Sequence, residues 1–101
     1  MKRAEIWWAK LDKRRPVVLL SRDEAYDVRA MVIAAPLSTH VRGYAIEVTL
    51  GIREGLPKSC VINCDWLVTI RKTDLLEKIG ELSETKLREL NHALLFSLGL
   101  R

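Results

Sequence analysis

The sequence predicts a small, strongly curved β-barrel with a single helix packed against it at the C-terminus. Two observations lead to this fold class, mainly β with α. Short apolar or alternating segments separated by turn signals fill the first two thirds of the chain, as is typical of strands with short connections. The last third carries an apolar stripe at helical spacing. With 101 residues, the chain is expected to form one domain over residues 1–101.

Five strands are predicted in the first two thirds of the chain. They span Glu5 to Leu11, Pro16 to Ser21, Arg29 to Leu37, Tyr44 to Leu50 and Ser59 to Ile70. The third strand is expected to end near Pro36, and the fifth to bend near Asp65. The polar segment Arg22 to Val28 is predicted as a turn or a short helical piece, and Gly51 to Pro57 as a loop. A short helical turn is predicted over Thr73 to Lys78.

The terminal helix is the clearest single element. Ser83 is a suitable N-cap, and Gly99 stands where the end of a helix favours a left-handed residue. Between them, one apolar stripe consists of Leu87, Leu90, Leu94 and Leu98. We expect the stripe to pack on the barrel. Leu95 and Phe96 widen the apolar arc beyond the needs of a small core, which indicates a partner surface.

Composition narrows the class of protein. The chain is 49% hydrophobic and 30% charged, which describes a soluble globular protein and excludes a disordered tail. No apolar run approaches the roughly 18 residues that a transmembrane helix needs. The segment Met1 to Glu5 lacks the features of a signal peptide. We therefore expect a cytoplasmic protein.

The net charge of +4 is unevenly distributed. Residues 1–50 contain nine Lys and Arg against six Asp and Glu, whereas residues 51–101 contain eight against seven. Only Asp12 opposes the densest group of cations, which consists of Lys10, Lys13, Arg14 and Arg15. The two arginines precede a proline at the exposed end of an apolar strand, where guanidinium groups offer fixed donors to a phosphate. The patch suits a polyanion, although a solvated loop kept soluble by its charge is about as common.

Cys60 and Cys64 are the only cysteines and fall in one predicted strand. Two residues four apart in a strand are separated by about 13 Å, beyond the roughly 7 Å limit for a disulfide. A metal site completed by His40 and His92 would match no zinc spacing pattern. We expect buried core thiols, no metal and no cofactor.

Six short motifs, in order along the chain, resemble those of the MazF/PemK toxins of bacterial type II toxin–antitoxin systems. They are R-x-E-I-W-W-A-x-L, R-R-P-V-V-L-L-S, V-x-x-A-P-L-S-T, G-L-P-K-S, D-W-L-x-T-I and K-I-G-x-L-S, the last followed by a helix ending in S-L-G-L. Each motif is weak alone, but their common order from about Lys2 to Leu100 is specific.

The resemblance implies an SH3-like, Kid/CcdB-like β-barrel that forms a homodimer and cuts single-stranded RNA without a metal ion. It implies products with a 2′,3′-cyclic phosphate and a 5′-hydroxyl, inhibition of translation and growth, and a cognate antitoxin that occupies the RNA groove in the silent state. The family's catalytic arginine falls on Arg15. Its catalytic threonine falls on Ser38, and Thr39 is one place away, so either hydroxyl is a candidate.

The chemistry of RNA cleavage by the substrate's own 2′-hydroxyl explains these residue types. One proton leaves the 2′-oxygen, one reaches the 5′-oxygen, and charge accumulates on the phosphorane between them. Arg15, with a side-chain pKa above about 12, suits charge stabilisation better than proton transfer. Ser38 or Thr39 can donate a hydrogen bond to a phosphate oxygen. His40 follows them, so we hypothesise a contributory acid or base role for it, against the alternative of a solvent-exposed loop histidine.

RNA binding is assigned to residues around the groove. Phosphate contacts are predicted for Lys10, Lys13, Arg14 and Arg42. Trp7 and Trp8 point to opposite faces of a strand, so only one is expected in the core. Trp7 is assigned to stack on a base, with the dimer interface or a half-exposed packing role as alternatives. The loop Asp12 to Arg14 is shorter than the family's glycine-containing loop, from which we expect a more open groove and an altered substrate preference.

Two other functions fit the predicted fold. CcdB-like toxins share the barrel and the dimer but inhibit DNA gyrase without nuclease activity. A plain SH3-like interaction module would bind an acidic partner through the basic loop. The combination of Arg15 with Ser38 or Thr39 favours the nuclease.

Overall fold

The computed structural model describes residues 1–101 and contains seven strands and two helices. The strands are β1 Glu5–Lys10, β2 Arg14–Leu19, β3 Met31–Ser38, β4 Glu47–Leu50, β5 Cys60–Asn63, β6 Val68–Arg71 and β7 Leu75–Glu81. The helices are α1 Ala25–Val28 and α2 Glu84–Ser97, and short 3₁₀ turns lie at Ile52–Glu54 and Lys72–Asp74. Neither helix has the length and apolar character needed to cross a membrane.

The strands form one curled antiparallel sheet. Its order is β4-β5-β3-β2-β1-β7, with β6 paired to the first half of β3 and β5 paired to its end. The curl brings the 3₁₀ turn after β4 onto β7. A Cβ atom on Gly80 would lie 2.6 Å from the carbonyl oxygen of Glu54, so this close approach requires glycine.

Two apolar clusters lie on opposite faces of the sheet, and β2 contributes to both. Val18 belongs to the larger cluster, whereas Val17 and Leu19 belong to the smaller one. Because successive side chains of a strand point to opposite faces, both faces of β2 are buried, which explains its unbroken apolar run. Leu90 of α2 is fully buried in the larger cluster and fixes the helix to the sheet.

The predicted fold class is confirmed, but the strands number seven instead of about five. Several predicted bounds are also wrong, since β2 begins and ends two residues earlier than predicted, β3 begins two residues later and β4 begins three residues later. The predicted strand from Ser59 to Ile70 is two strands, because an Asx turn at Asn63, whose Oδ1 accepts the Asp65 N–H at 2.9 Å, interrupts it. β3 continues through Pro36 to Ser38. The predicted helical turn over Thr73 to Lys78 is helical only at its start. The chain then enters β7, because pairing with β1 overrides the local preference.

The helix α2 begins and ends as predicted. The hydroxyl oxygen of Ser83 accepts a hydrogen bond from the Lys86 N–H at 3.2 Å. Gly99 adopts a left-handed φ of +70°. Its N–H and that of Leu100 donate to two carbonyls of the last turn, at 3.1 and 2.9 Å, in the pattern of a Schellman motif. Sequence alone therefore located both helix ends correctly.

The apolar stripe of α2 packs on the sheet over most of its length. Leu87, Leu90 and Leu94 contact the larger cluster. The far end of the helix stays uncovered, since Leu95, Phe96, Leu98 and Leu100 are exposed. Leu98 was predicted to pack with the others, and that part of the prediction is wrong because α2 runs past the cluster that it covers.

Candidate active site

An open cleft of about 300 Å³ lies where the ends of β1, β2 and β3 meet the loop before β5. Its polar lining consists of four cations and two hydroxyls, which are Lys13, Arg14, Arg15, Lys58, Ser38 and Thr39. Apolar walls come from Trp8, Pro16, Leu37, Leu56 and Pro57. No acidic side chain lines this space, which we call the Arg15 cleft. Cations beside hydroxyl donors, with no acidic residue in the lining, suit a phosphate.

The pairing of β2 with β3 brings Arg15 and Ser38 to the same end of the sheet. These antiparallel strands set Val17 opposite Pro36. Continued for two more residues, the same register sets Arg15 opposite Ser38. Both residues line the Arg15 cleft, so the sheet brings a guanidinium and a hydroxyl to the same opening.

The guanidinium of Arg15 is restrained along one edge and over one face. Its Nε donates to Oδ1 of Asp12 at 3.0 Å, and its Nη2 donates to Oδ2 of the same carboxylate at 3.2 Å. Its Cζ lies 5.4 Å from the centre of the Trp66 ring, within the range of a cation–π contact. The Arg15 side chain is only 24% exposed, whereas that of Asp12 is 67% exposed.

This contact fixes the charge of both partners. The hydrogen bond from Arg15 lowers the pKa of Asp12 from 3.8 to about 2. The same bond raises the pKa of Arg15 above its ordinary value. Both groups are therefore fully ionised at neutral pH. Arg15 can stabilise negative charge but holds its protons too tightly to act as a base.

Arg14 has different partners. Its Cζ lies 4.6 Å from the centre of the Trp8 ring, and its Nη2 lies 3.5 Å from Oε2 of Glu77 on β7. Both members of this ion pair are largely exposed, so water and salt screen their attraction. Arg14 can exchange Glu77 for a phosphate at little cost and remain stacked on Trp8.

Ser38 and Thr39 present two hydroxyls to the cleft, in different settings. Ser38 is half-buried, and its Oγ accepts a hydrogen bond from the main-chain N–H of His40 at 3.0 Å. The hydroxyl hydrogen of Ser38 remains available for donation into the cleft. Thr39 is exposed. His40 is also exposed and does not line the cleft, and the role predicted for its ring stays a prediction.

Four residues predicted for the site lie outside the cleft lining, namely Trp7, Lys10, His40 and Arg42. Of the roles considered for Trp7, the structure shows the half-exposed packing role and not a place in the groove. Trp7 packs against the smaller apolar cluster, and its indole N–H donates to Glu5 at 2.9 Å. Trp8 lines the cleft instead. Alternation in the sequence shows that the two rings face opposite sides, but it does not show which side holds the core.

Lys58 and Trp66 were missed by sequence reasoning. Lys58 lies in the G-L-P-K-S motif, in a loop distant in sequence from Arg15, and the curl of the sheet brings it to the cleft. Trp66 follows the Asx turn after β5 and contacts Arg15 through its ring. One signal for these residues was present in the sequence, since Lys58 lies in the motif G-L-P-K-S and Trp66 in the motif D-W-L-x-T-I.

Cys60 and Cys64 are buried free thiols, as predicted. Burial raises the pKa of both, and that of Cys64 reaches about 11. Cys60 backs the Arg15 cleft, where its protonated thiol is part of the apolar wall. His, Cys, Asp and Glu side chains nowhere cluster in threes as metal ligands would.

A curled antiparallel sheet with a C-terminal helix, and a cleft of cations and hydroxyls at one end of it, define a small β-protein suited to phosphate chemistry. Residues 2–98 match the family described as PemK-like, MazF-like toxin of type II toxin–antitoxin system. The chain belongs to this family.

Relatives with this fold are named as endoribonucleases. The probable endoribonuclease MazF5 of Mycobacterium tuberculosis is 34% identical over 95 residues, which cover 91% of this chain and 87% of the relative. The solved structure of the M. tuberculosis toxin MazF-mt6 has a TM-score of 0.91 and 36% identity, covering 96% of this chain and 98% of that one. A mycobacterial endoribonuclease in complex with its cognate antitoxin has a TM-score of 0.91 and 25% identity, covering 100% and 97%.

Proposed function

We propose that this protein is the toxin of a type II toxin–antitoxin system and an endoribonuclease that cuts single-stranded RNA without a metal ion. The observation that carries the proposal is the convergence of Arg15 and Ser38 in a cleft lined by four cations and no acid. Membership of the toxin family and the names of the relatives support it.

The reaction proposed is attack by a 2′-hydroxyl of the RNA on the adjacent phosphorus. The bond from phosphorus to the 5′-oxygen breaks, and the products carry a 2′,3′-cyclic phosphate and a 5′-hydroxyl. Negative charge builds up on the non-bridging oxygens of the phosphorane. Arg15 stabilises that charge, because it is permanently cationic and only 24% exposed, so water screens it weakly.

The group that stabilises charge in this cleft is not the group that transfers protons. The lining contains no histidine or carboxylate, so neither type of group can take the 2′-proton from within it. The Ser38 hydroxyl, oriented by the His40 N–H, can donate to a phosphate oxygen. We assign it this role, with Thr39 as the neighbouring alternative, and water as the carrier of the protons. If the His40 ring contributes, as the sequence suggested, the His40→Ala variant will lose rate near neutral pH.

RNA contacts follow from the remaining lining residues. Lys13, Arg14 and Lys58 would bind phosphates on either side of the cut, and Trp8 offers a ring on which a base can stack. Lys10 and Arg42, which lie outside the cleft, would contact RNA only where the strand extends beyond it.

Two protein partners are part of the proposal. The exposed apolar end of α2 would join a second copy of this chain in a homodimer, since water contact there is unfavourable. A cognate antitoxin would hold the toxin silent in the cell, and the structure of a mycobacterial endoribonuclease with its antitoxin supports this. Free toxin would then cut cytoplasmic RNA, inhibit translation and arrest growth.

The test is cleavage of a defined single-stranded RNA by the purified protein in EDTA, with mass spectrometry of the product ends. We expect fragments with a 2′,3′-cyclic phosphate and a 5′-hydroxyl, and cleavage slower by about 10³-fold in Arg15→Ala. Intact RNA after prolonged incubation would overturn the proposal. Inhibition of gyrase supercoiling by the same preparation would then favour the CcdB-like alternative.

A further inference from the structure

The hydrogen bonds of Arg15 leave one edge of its guanidinium free. A guanidinium has two edges that can each form a pair of parallel hydrogen bonds with an oxyanion. Asp12 occupies the edge formed by Nε and Nη2. The edge formed by Nη1 and the second hydrogen of Nη2 has no protein partner. The ring of Trp66 lies against the guanidinium as a second restraint.

We propose that Asp12 is a positioning residue, which orients Arg15 so that its free Nη1/Nη2 edge meets the scissile phosphate. This inference rests on the proposed function. Asp12 itself does not touch the RNA. It lies in the three-residue connection between β1 and β2, which the hydrogen bond from Leu11 N–H to Lys13 carbonyl closes at 3.0 Å, so its own backbone is fixed.

The geometry favours positioning over competition with the substrate. A carboxylate that competed with phosphate would occupy the edge that phosphate needs, or would have to leave before RNA could bind. Asp12 binds the side edge and leaves the end edge open. Asp12 restrains one edge of the guanidinium and the Trp66 ring restrains one face. Together these contacts fix both the direction and the plane of the group, whereas each contact alone would leave one rotation free.

Glu77 provides a matched control. It is also an acidic residue paired with a cleft arginine, but it contacts Arg14 at 3.5 Å by a single pair of atoms. Neutralising Glu77 changes the net charge by the same amount as neutralising Asp12. The two variants therefore separate an effect of charge on RNA binding from an effect of Arg15 orientation.

The experiment compares Asp12→Asn and Glu77→Gln by single-turnover cleavage and by RNA affinity. Asn keeps the shape and turn preference of Asp, so the fold is retained. Its amide has only one acceptor oxygen, so it can accept only one of the two hydrogen bonds from Arg15. We expect the single-turnover rate constant to fall by about 10-fold to 100-fold in Asp12→Asn, as a misplacement of about 1 Å can cost, with RNA affinity unchanged or higher. Glu77→Gln should keep the wild-type single-turnover rate constant. Equal or faster cleavage by Asp12→Asn would overturn the proposal and show Asp12 to be a competitor.

A second measurement does not depend on cleavage. The ¹H–¹⁵N NOE of the Arg15 Nε–H in the labelled protein reports how rigid the guanidinium is. We expect a rigid resonance in the wild type and in Glu77→Gln, and a mobile one in Asp12→Asn. Equal mobility in all three proteins would overturn the positioning role. Failure of the wild type to cut RNA would overturn the proposed function, while this measurement would still decide whether Asp12 orients Arg15.

Discussion

Two openings on this molecule, the Arg15 cleft and a groove between β4 and α2, differ in size and in charge. The smaller opening has the greater excess of positive charge. The groove, which we call the α2 groove, has a volume of about 660 Å³, more than twice that of the cleft. Its cations Arg88 and Arg101 lie among the carboxylates Glu47 and Glu89. The cleft holds four cations and no acid. The proposed site is therefore the smaller of the two openings, and it is set apart by the excess of cations in its lining.

The carboxylate of Glu47, which lines the α2 groove, is used within the fold. It accepts hydrogen bonds from the main-chain N–H groups of Arg42, Gly43 and Tyr44, at 2.8 to 3.3 Å. Its charge is used to order the loop before β4 and is not free for a ligand. In the Arg15 cleft, by contrast, the hydrogen-bond donors of the lysines are unpaired with protein.

The largest expected effect comes from removing Arg15. Arg15→Ala should lower kcat by about 10³-fold, because it deletes the group that stabilises the phosphorane charge. Arg101→Ala in the α2 groove is the matched control and should cut at the wild-type rate. Single-turnover cleavage of one RNA by both variants measures the difference. A loss of rate in Arg101→Ala with none in Arg15→Ala would reverse the comparison between the two openings.

The next effect separates the two hydroxyls. Ser38→Ala should lower kcat by about 10²-fold, since it removes the donor oriented by the His40 N–H. Thr39→Ala is expected to lose much less, because no contact orients its hydroxyl. Thr85→Ala, which removes a hydroxyl from the α2 groove, serves as the control. If Thr39→Ala lost more rate than Ser38→Ala, the catalytic hydroxyl would be Thr39.

A smaller effect concerns affinity. Lys58→Ala should weaken RNA binding and reduce the slope of log K against log salt by about 0.7, the contribution of one phosphate contact on a single strand. Arg88→Ala should leave that slope unchanged. Fluorescence anisotropy with a labelled RNA, in a cleavage-deficient Arg15→Ala background, gives both slopes. A change in slope only for Arg88→Ala would place the RNA in the α2 groove.

The smallest effect concerns the two buried cysteines, of which Cys60 lines the cleft and Cys64 lies in the larger apolar cluster. Burial raises the pKa of Cys64 from 9.0 to about 11, so its thiol is protonated at pH 8. Alkylation of the native protein at pH 8 should be slow at both cysteines, and unfolding should expose two reactive thiols. The Cys64 thiol ionises at a lower pH in the unfolded chain than in the folded protein. Its contribution to the stability of the fold is therefore complete below pH 9 and is lost as the pH rises toward 11. Rapid native labelling of Cys60 would show that the cleft opens through to the core.

Sequence reasoning recovered the parts of the fold that depend on local chemistry. The caps of α2 at Ser83 and Gly99 follow from residue types that satisfy helix ends, and they were located correctly. The bend predicted near Asp65 lies at the Asx turn of Asn63, but the sequence did not show that this turn divides the run into the separate strands β5 and β6. The strand β7 was missed because only its pairing with β1 determines it.

The same distinction applies to the candidate site. Arg15 was predicted from its place at the exposed end of an apolar strand and from the resemblance to the toxin family, and Ser38 from that resemblance alone. Lys58, Trp66 and the cleft position of Trp8 were not predicted, because they depend on how the sheet curls and on which face of β1 is buried. The contact between Asp12 and Arg15 was also absent from the sequence interpretation, which treated Asp12 only as a charge opposing its basic neighbours.

The most direct test of the central claim uses RNA in which the nucleotide 5′ to the mapped cut carries a 2′-deoxy sugar. The account predicts that this RNA binds with nearly wild-type affinity and is not cut, because the attacking hydroxyl belongs to the substrate. Cleavage of the 2′-deoxy RNA at the same position and rate would contradict the account, since the nucleophile would then have to come from water or from the protein.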